Sequence, residues 1–468
     1  MKKIITLLFI IFCSSVFIYA QNVTLKGIAK GAEGKALDVY AYSDLLSCTM
    51  TKIASGKIDT LGNFNFSFTT GETIFTYVKV GFTRAPLYVE PGKTYNLQIK
   101  CDDCKSADDK SNPYLNTKDL VLTIENTDST ELNNLIYHFN DDYDRFMYSN
   151  YVSLIKQRNK SKVDSFRIQI NNKYSSISNA YFSELVRYRL ASVEQLAQLA
   201  DNYSIAEKYF FSQPVLYKNT GYMEFFNDFF TEYVTMESSK IKSTDLEKTI
   251  NELKSMPAFL DSLGKDSILQ NEIIRELVAV KCLAEIYYKK TYDQVAVLSM
   301  LQYIADSSKF PEHKTAASNY MSIFTKLTKG TIAPPFSLKD MNGEKYSLTE
   351  LNKGKYVYLI FWTTWCVPCI AEMELIEKLI EKYGTKIEFV GISCDKEYMT
   401  FYHYMKQKSF GFTSLHRGGS SELIENYDVR AFPKFIMIDP DGKIHQNPAI
   451  TPSENLNEYL FDLTKEKK

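Results

Sequence analysis

The sequence predicts a three-part molecule: a small all-β sandwich, an α-helical middle domain and a C-terminal α/β domain. Three observations predict it. Residues 21–105 alternate short β-branched and aromatic runs with turn signals, and residues 106–329 change to a helical period. Beyond residue 330, a continuous apolar run of strand length leads directly into an amphipathic helix. At 468 residues the chain has room for about three domains of ~150 residues each.

Residues 1–20 read as a secretory signal peptide. Lys2 and Lys3 form the positive start, Ile4 to Phe12 the apolar centre, and Ala20 the small residue before the cut. The apolar run is short for a membrane span. Cys13 follows Phe12, which is too bulky for lipoprotein cleavage, so removal after Ala20 is expected. The mature chain loses two lysines and no acid, which moves the net charge from −1 to −3. Nearly balanced charge gives no reason to expect a nucleic-acid or acidic membrane partner. No later stretch is long and apolar enough to span a bilayer, so periplasm or cell envelope is the expected location.

Residues 21–105 carry strand signals in order. These are Val23 to Gly27, Leu37 to Tyr42, Phe64-Asn65-Phe66-Ser67-Phe68 after a Gly-Asn turn, Tyr77 to Gly81, Pro86 to Glu90, and Thr94 to Ile99 after Pro91-Gly92. A β-sandwich-like domain fits this spacing. Its aromatic stripe is read as core rather than as a ligand platform.

Within 106–329, Ile177, Tyr181, Leu185 and Tyr188 share one helical face, as do Ile273, Leu277, Val280, Ala284 and Tyr287. Pro214, Pro257 and Pro311 mark breaks. No fixed-period repeat supports a solenoid. The abundant Tyr and Phe are read as packing between helices, with a peptide-binding groove as the alternative. This region predicts an architecture and no chemistry.

The chemistry is concentrated in the segment 330–468. Tyr356 to Trp362 is the apolar strand, and Ile370, Met373, Ile376, Leu379 and Ile380 recur at helical spacing up to Gly384. Between them stands Trp365-Cys366-Val367-Pro368-Cys369. Cys366 thus falls at a helix mouth, where free N–H groups and the positive end of the dipole favour a thiolate. A thiol pKa falling from about 8.5 to about 7 raises the thiolate fraction at neutral pH from roughly 3% to roughly half. Cys369, one turn further, is placed to resolve the mixed disulfide that Cys366 forms. Pro368 stiffens the turn between them.

These residues resemble the thioredoxin fold of TlpA/ResA-like thiol-disulfide oxidoreductases of the bacterial cell envelope. Ala431-Phe432-Pro433 matches the family's cis-proline loop, and Ala333-Pro334-Pro335-Phe336-Ser337-Leu338 with Asn342-Gly343 matches its N-terminal hairpin. The resemblance implies a nucleophile at Cys366, a resolving thiol at Cys369, a proton relay at Glu372 and substrate alignment by Pro433. It also implies a substrate-binding rim of Trp365, Val367, Pro368 and Phe432. Two departures stand out. Ile360 occupies the position where thioredoxin has a buried aspartate, and Met373-Glu374 follows Glu372 where the family often has a helix-kinking proline. Glu372 also has a simpler reading as a solvated first-turn acid that complements the dipole. The β segment resembles the domain often found ahead of such folds, on its glycine-aromatic strand and Pro91-Gly92.

Of the other cysteines, Cys101-Asp102-Asp103-Cys104 is read as a structural disulfide, with free thiols or a second redox centre as alternatives. Two carboxylates raise the thiol pKa values there, and a strand end running into a loop is not a helix mouth. Cys282 lies on the stripe Ile274, Val278, Cys282, Ile286 and is read as packing. Cys48 and Cys394 receive no role. His138, His313, His403, His416 and His445 show no helical metal-ligand spacing, so no metal and no cofactor beyond the dithiol are expected.

The expected function is disulfide exchange with protein thiols and disulfides, in the reducing direction by family resemblance. A membrane electron donor or acceptor would be its partner. The alternatives are a non-catalytic binding module and a thiol peroxidase, the latter because Thr363-x-x-Cys366 partly matches a peroxiredoxin site. Leu359, however, stands where such sites carry a proline.

Overall fold

A computed structural model describes residues 20–81, 83–101, 118–238, 240–408, 410–418 and 422–465. Except for Ala20, the signal-like stretch lies outside the described residues, as does Cys104.

The N-terminal part is a sandwich of two sheets. One sheet holds β1 (Gln21–Lys30), β4 (Asn63–Thr70), β7 (Thr94–Lys100) and β9 (Val121–Ile124) in the order β4-β1-β7-β9. The other holds β2 (Ala36–Tyr42), β3 (Met50–Lys57), β5 (Ile74–Val80), β6 (Thr83–Val89) and β8 (Lys118–Asp119) in the order β3-β2-β5-β6-β8. Alternating residues of both sheets, among them Val23, Leu25, Val39, Val78, Leu87 and Leu97, fill the space between them. Gly27, at φ 152°, lies against Leu97, where an added Cβ would stand 1.9 Å from the Leu97 carbonyl oxygen. Only glycine fits that approach. Phe64 and Phe68 belong to this core, with Phe66 packed at its edge. Strands β8 and β9 carry the β part past residue 105 to Ile124, and the first long helix starts at Leu132. The helical stretch therefore begins later than its composition indicates, because four residues of β9 are too few to display a period.

Helices then run from Leu132 to Thr325, interrupted by π-helical turns at Glu207–Phe211, Tyr233–Glu237 and Lys248–Leu253. Their main core is strongly aromatic: Phe210 stacks on Phe225 with centroids 5.2 Å apart, and Tyr222, Phe226, Phe229 and Phe230 surround the pair. Ile274, Val278, Cys282 and Ile286 are all buried there. Pro257 and Pro311 sit in the first turns of their helices, where a missing N–H costs nothing. His313 is fully buried, its two ring nitrogens 2.8 Å from Glu276 Oε1 and 2.8 Å from the Tyr217 hydroxyl. That network ties two helices to the turn before a third, and the sequence spacing of the histidines does not reveal it.

The C-terminal part is a seven-stranded sheet built from β10 (Ser337–Asp340), β11 (Lys345–Ser347), β12 (Tyr356–Trp362), β13 (Ile387–Ser393), β14 (Thr413–His416), β15 (Lys434–Ile438) and β16 (Ile444–Gln446). Its order is β11-β10-β14-β13-β12-β15-β16, with β12, β13 and β14 parallel and β15 antiparallel to β12. Val357 to Trp362 are completely buried, which explains why the central strand β12 reads as an unbroken apolar run. The helices Val367–Tyr383 and Leu456–Thr464 lie together, with the Tyr383 hydroxyl donating to the Asn457 carbonyl at 3.0 Å.

Side chains join the three parts. Leu46, between β2 and β3, enters the helical core, and the Tyr320 hydroxyl donates to its carbonyl at 2.8 Å. Lys79 on β5 meets Glu425 of the C-terminal part at 2.7 Å while lying over the Tyr40 ring.

Candidate active site

The site forms where β12 ends. After Trp362 the chain turns through Thr363, Thr364 and Trp365, with the Cys366 N–H donating to the Thr363 carbonyl at 3.1 Å. Cys366 is the N-cap of the helix Val367–Tyr383, and its sulfur accepts the Cys369 N–H at 3.3 Å. A cysteine takes the place that Ser, Thr or Asp usually occupy at a helix start, so a free helix-end N–H points at sulfur. Pro368 lies in the first turn, where its fixed φ suits the helix.

Cys366 and Cys369 are joined, with an S–S distance of 2.04 Å and Cα atoms 5.3 Å apart. Cys366 retains 4% exposure and Cys369 none, so an incoming sulfur reaches Cys366 first. Val367 is 75% exposed and Pro368 is also exposed, giving the dithiol an open apolar side.

Register brings the second loop to the same place. Phe361 pairs with Lys434, so Phe432 and Pro433 enter β15 beside the point where Trp362 leaves β12. The Phe432–Pro433 bond is cis, and the Phe432 ring meets Trp365 edge-on at 6.1 Å. Cys366, Cys369, Trp365, Val367, Pro368, Phe432 and Pro433 therefore gather at one end of the central strands. Ile360 is fully buried opposite Phe435. Glu372 lies one turn beyond Cys369, and its carboxylate accepts the Ser453 hydroxyl at 2.6 Å and the Ser453 N–H at 3.0 Å.

Sequence reasoning missed Asp395, which is 3% exposed just after β13. Its carboxylate accepts the Thr364 N–H at 3.0 Å, the Thr364 hydroxyl at 2.9 Å and the Ser393 hydroxyl at 2.7 Å. It thus fastens the turn carrying the dithiol to the neighbouring strand. On the other side, its backbone carbonyl lies 2.9 Å from Nε2 of buried His416. The one available signal was an acid two residues past a buried strand. Trp362 Nε1 and Thr363 Oγ are buried with no hydrogen-bond partner among the described residues.

The remaining cysteines lie in other settings. Cys394 sits just past β13, its N–H donating to the Trp362 carbonyl at 2.7 Å, and burial pushes its thiol up to about 12. Burial also raises the Cys282 thiol. Cys101 is disulfide-bonded and buried in the sandwich core, while Cys104 lies outside the described residues. Among the described residues, no group of three His, Cys, Asp or Glu side chains is gathered around a possible metal position. No helix among them is long and apolar enough to cross a membrane.

A parallel-centred sheet with a cysteine pair at the mouth of the helix after its central strand defines a thioredoxin-fold oxidoreductase domain. Known proteins share this segment. The AhpC/TSA family matches residues 329–447. The thiol-disulfide oxidoreductase ResA of Bacillus thuringiensis subsp. konkukian is 36% identical over 151 residues, which is 31% of this chain and 86% of that protein. The thioredoxin-like protein YneN of Bacillus subtilis is 33% identical over 140 residues, 29% of this chain and 81% of that protein. A solved thiol-disulfide oxidoreductase from Bacteroides fragilis is 26% identical, with a TM-score of 0.26, over 28% of this chain and 99% of that one. The chain belongs to the TlpA/ResA-like family of thiol-disulfide oxidoreductases and is an enzyme of that class.

Proposed function

We propose that this protein is exported to the periplasm or cell envelope and there reduces protein disulfides with the Cys366–Cys369 dithiol. The observation that carries the reading is Cys366 at the helix N-cap, its sulfur facing the Cys369 N–H. The Cys366 thiolate attacks one sulfur of a substrate disulfide. That S–S bond breaks, a mixed disulfide forms, and the departing substrate thiolate takes a proton from solvent. The Cys369 thiolate then attacks the Cys366 sulfur and releases the second substrate thiol. Two electrons pass to the substrate, and Cys366–Cys369 is left as the disulfide.

In this reading Glu372 relays the proton that leaves Cys369, its carboxylate positioned by Ser453. Pro433 aligns the substrate backbone, and Trp365, Val367, Pro368 and Phe432 form the apolar rim on which it lies. No cofactor other than the dithiol is required. A membrane dithiol donor restores the reduced pair. Export is supported by Lys2, Lys3, the run Ile4 to Phe12 and Ala20.

A redox titration in glutathione or dithiothreitol buffers, followed by tryptophan fluorescence, tests the direction. Trp362 and Trp365 are the two tryptophans of the chain, and both lie within four residues of Cys366. A reversible two-electron transition at a potential near −270 mV is expected, within the range of about −270 to −120 mV spanned by such dithiols. A potential near the oxidising end refutes the reductase direction. The absence of any transition, with both thiols free to alkylation, refutes redox activity of this pair.

A further inference from the structure

The helix Leu132–Gln157 has two unlike faces. Leu135, Ile136, Phe139, Tyr143 and Leu154 are buried against the neighbouring helices. On the opposite face, Tyr148 is 92% exposed, Tyr151 52%, Val152 62% and Ile155 41%. At 100° per residue, these four fall within about 60° of one line along the helix. Four large apolar side chains on one solvent face, at the end of a helix, call for a covering surface.

The charges beside them name its chemistry. The chain turns at Arg158 and Asn159 into the helix Lys160–Lys173, and Phe146 stacks on Phe166 at 4.0 Å to hold the hairpin together. From Arg145 to Val163 there is no Asp or Glu, while Arg145, Lys156, Arg158, Lys160 and Lys162 are all cationic. Lys156, Arg158, Lys160 and Lys162 are exposed, and none of the four makes an ion pair among the described residues. Lys162 Nζ contacts only the Ser153 hydroxyl, at 3.3 Å. The flanking acids are Asp144, exposed one turn before Tyr148, and Asp164, directly after Val163, while Asp141 and Asp142 are paired with Arg145 and Lys173.

We propose that this hairpin end docks on the surface of an anionic lipid bilayer. Tyr148, Tyr151, Val152 and Ile155 enter the headgroup boundary, and Lys156, Arg158, Lys160 and Lys162 meet the lipid phosphates. A nucleic acid would use the cations but leave Val152 and Ile155 in water. A second copy would bring two sets of unpaired cations together. This surface is separate from the redox site, and the proposal holds whichever way electrons flow there.

Co-sedimentation of the full chain with vesicles tests it. Binding is expected to vesicles containing phosphatidylglycerol, to weaken as salt rises, and to fall sharply on phosphatidylcholine alone. Two variants are compared, one with Tyr148→Ser, Tyr151→Ser, Val152→Ser and Ile155→Ser, the other with Lys156→Gln, Arg158→Gln, Lys160→Gln and Lys162→Gln. Each is expected to weaken binding about tenfold or more, while circular dichroism and disulfide exchange with a soluble substrate stay unchanged. Both variants retain the apolar residues 4–12, so vesicle binding undiminished in either set overturns the proposal. So does failure of the native chain to bind anionic vesicles. A dimer that dissociates on the serine substitutions, with no vesicle binding, also overturns it and assigns the face to self-association.

Discussion

Two cysteines end neighbouring parallel strands, and they face opposite chemistry. Cys366 follows β12 and caps a long helix, so its sulfur receives an N–H donor. Cys394 follows β13, which pairs with β12 through Trp362 and Ser393, yet burial holds its thiol protonated. Residue type and position at a strand end are shared. What differs is the element that comes next: at Cys366 a helix mouth stabilises a thiolate, whereas at Cys394 no helix starts and burial keeps the thiol protonated.

The contrast makes graded predictions. Cys366→Ser should lower the rate of insulin disulfide reduction by about a thousandfold or more, whereas Cys394→Ala should stay within about twofold of the native rate. Comparable losses in both would remove the distinction. Cys369→Ser should leave attack intact and block resolution. Mixed disulfides with substrate should then accumulate, visible by mass spectrometry, and turnover should fall about a hundredfold.

Asp395 links the two strand ends, so its removal sharpens the comparison. Asp395→Ala strands the Ser393 hydroxyl in a buried setting and the Thr364 N–H in a half-buried one. A loss of about 2–3 kcal/mol in urea-unfolding stability is expected, together with slower exchange at Cys366. An unchanged exchange rate would show that the turn holds its shape without this carboxylate.

A further effect sets in only at alkaline pH. Burial raises the Cys394 thiol from the ordinary 9.0 to about 12. The folded state keeps that proton while the unfolded chain releases it above 9, so the stabilisation is complete below pH 9 and is lost as pH rises to 12. The slope is about 1.4 kcal/mol per pH unit, and Cys394→Ala should remove that part of the alkaline decline in thermal melts. At pH 8 only about one Cys394 in ten thousand is a thiolate. Iodoacetamide should therefore label Cys366 in the reduced native protein and reach Cys394 only on unfolding.

The dithiol, its strand and its helix were legible because each rests on local sequence. An unbroken apolar run requires a strand buried on both faces, and a Pro within the first turn suits a helix start. The Phe432-Pro433 loop was legible only through family resemblance. Spacing along the chain says nothing of the β15 register that brings it beside Trp362. The aromatic surplus of the middle region correctly pointed to packing, since Phe210, Phe225 and Phe226 lie in one core. Strands β8 and β9 were missed because two and four residues carry no measurable period.

By itself, the sequence determined the three-part order, the central strand and the cysteine at a helix mouth, all consequences of hydrophobic period and backbone capping between near neighbours. Tertiary structure alone decided which acid fastens the turn that carries the dithiol. Asp395 reaches Thr364 across 31 positions because β13 lies beside β12, while Glu372, closer in sequence, is held by Ser453. It likewise decided that His313 joins Glu276 and Tyr217, and that Lys79 meets Glu425 across 346 positions. Such pairings depend on which faces the chain brings together, and one-dimensional spacing does not encode that distance.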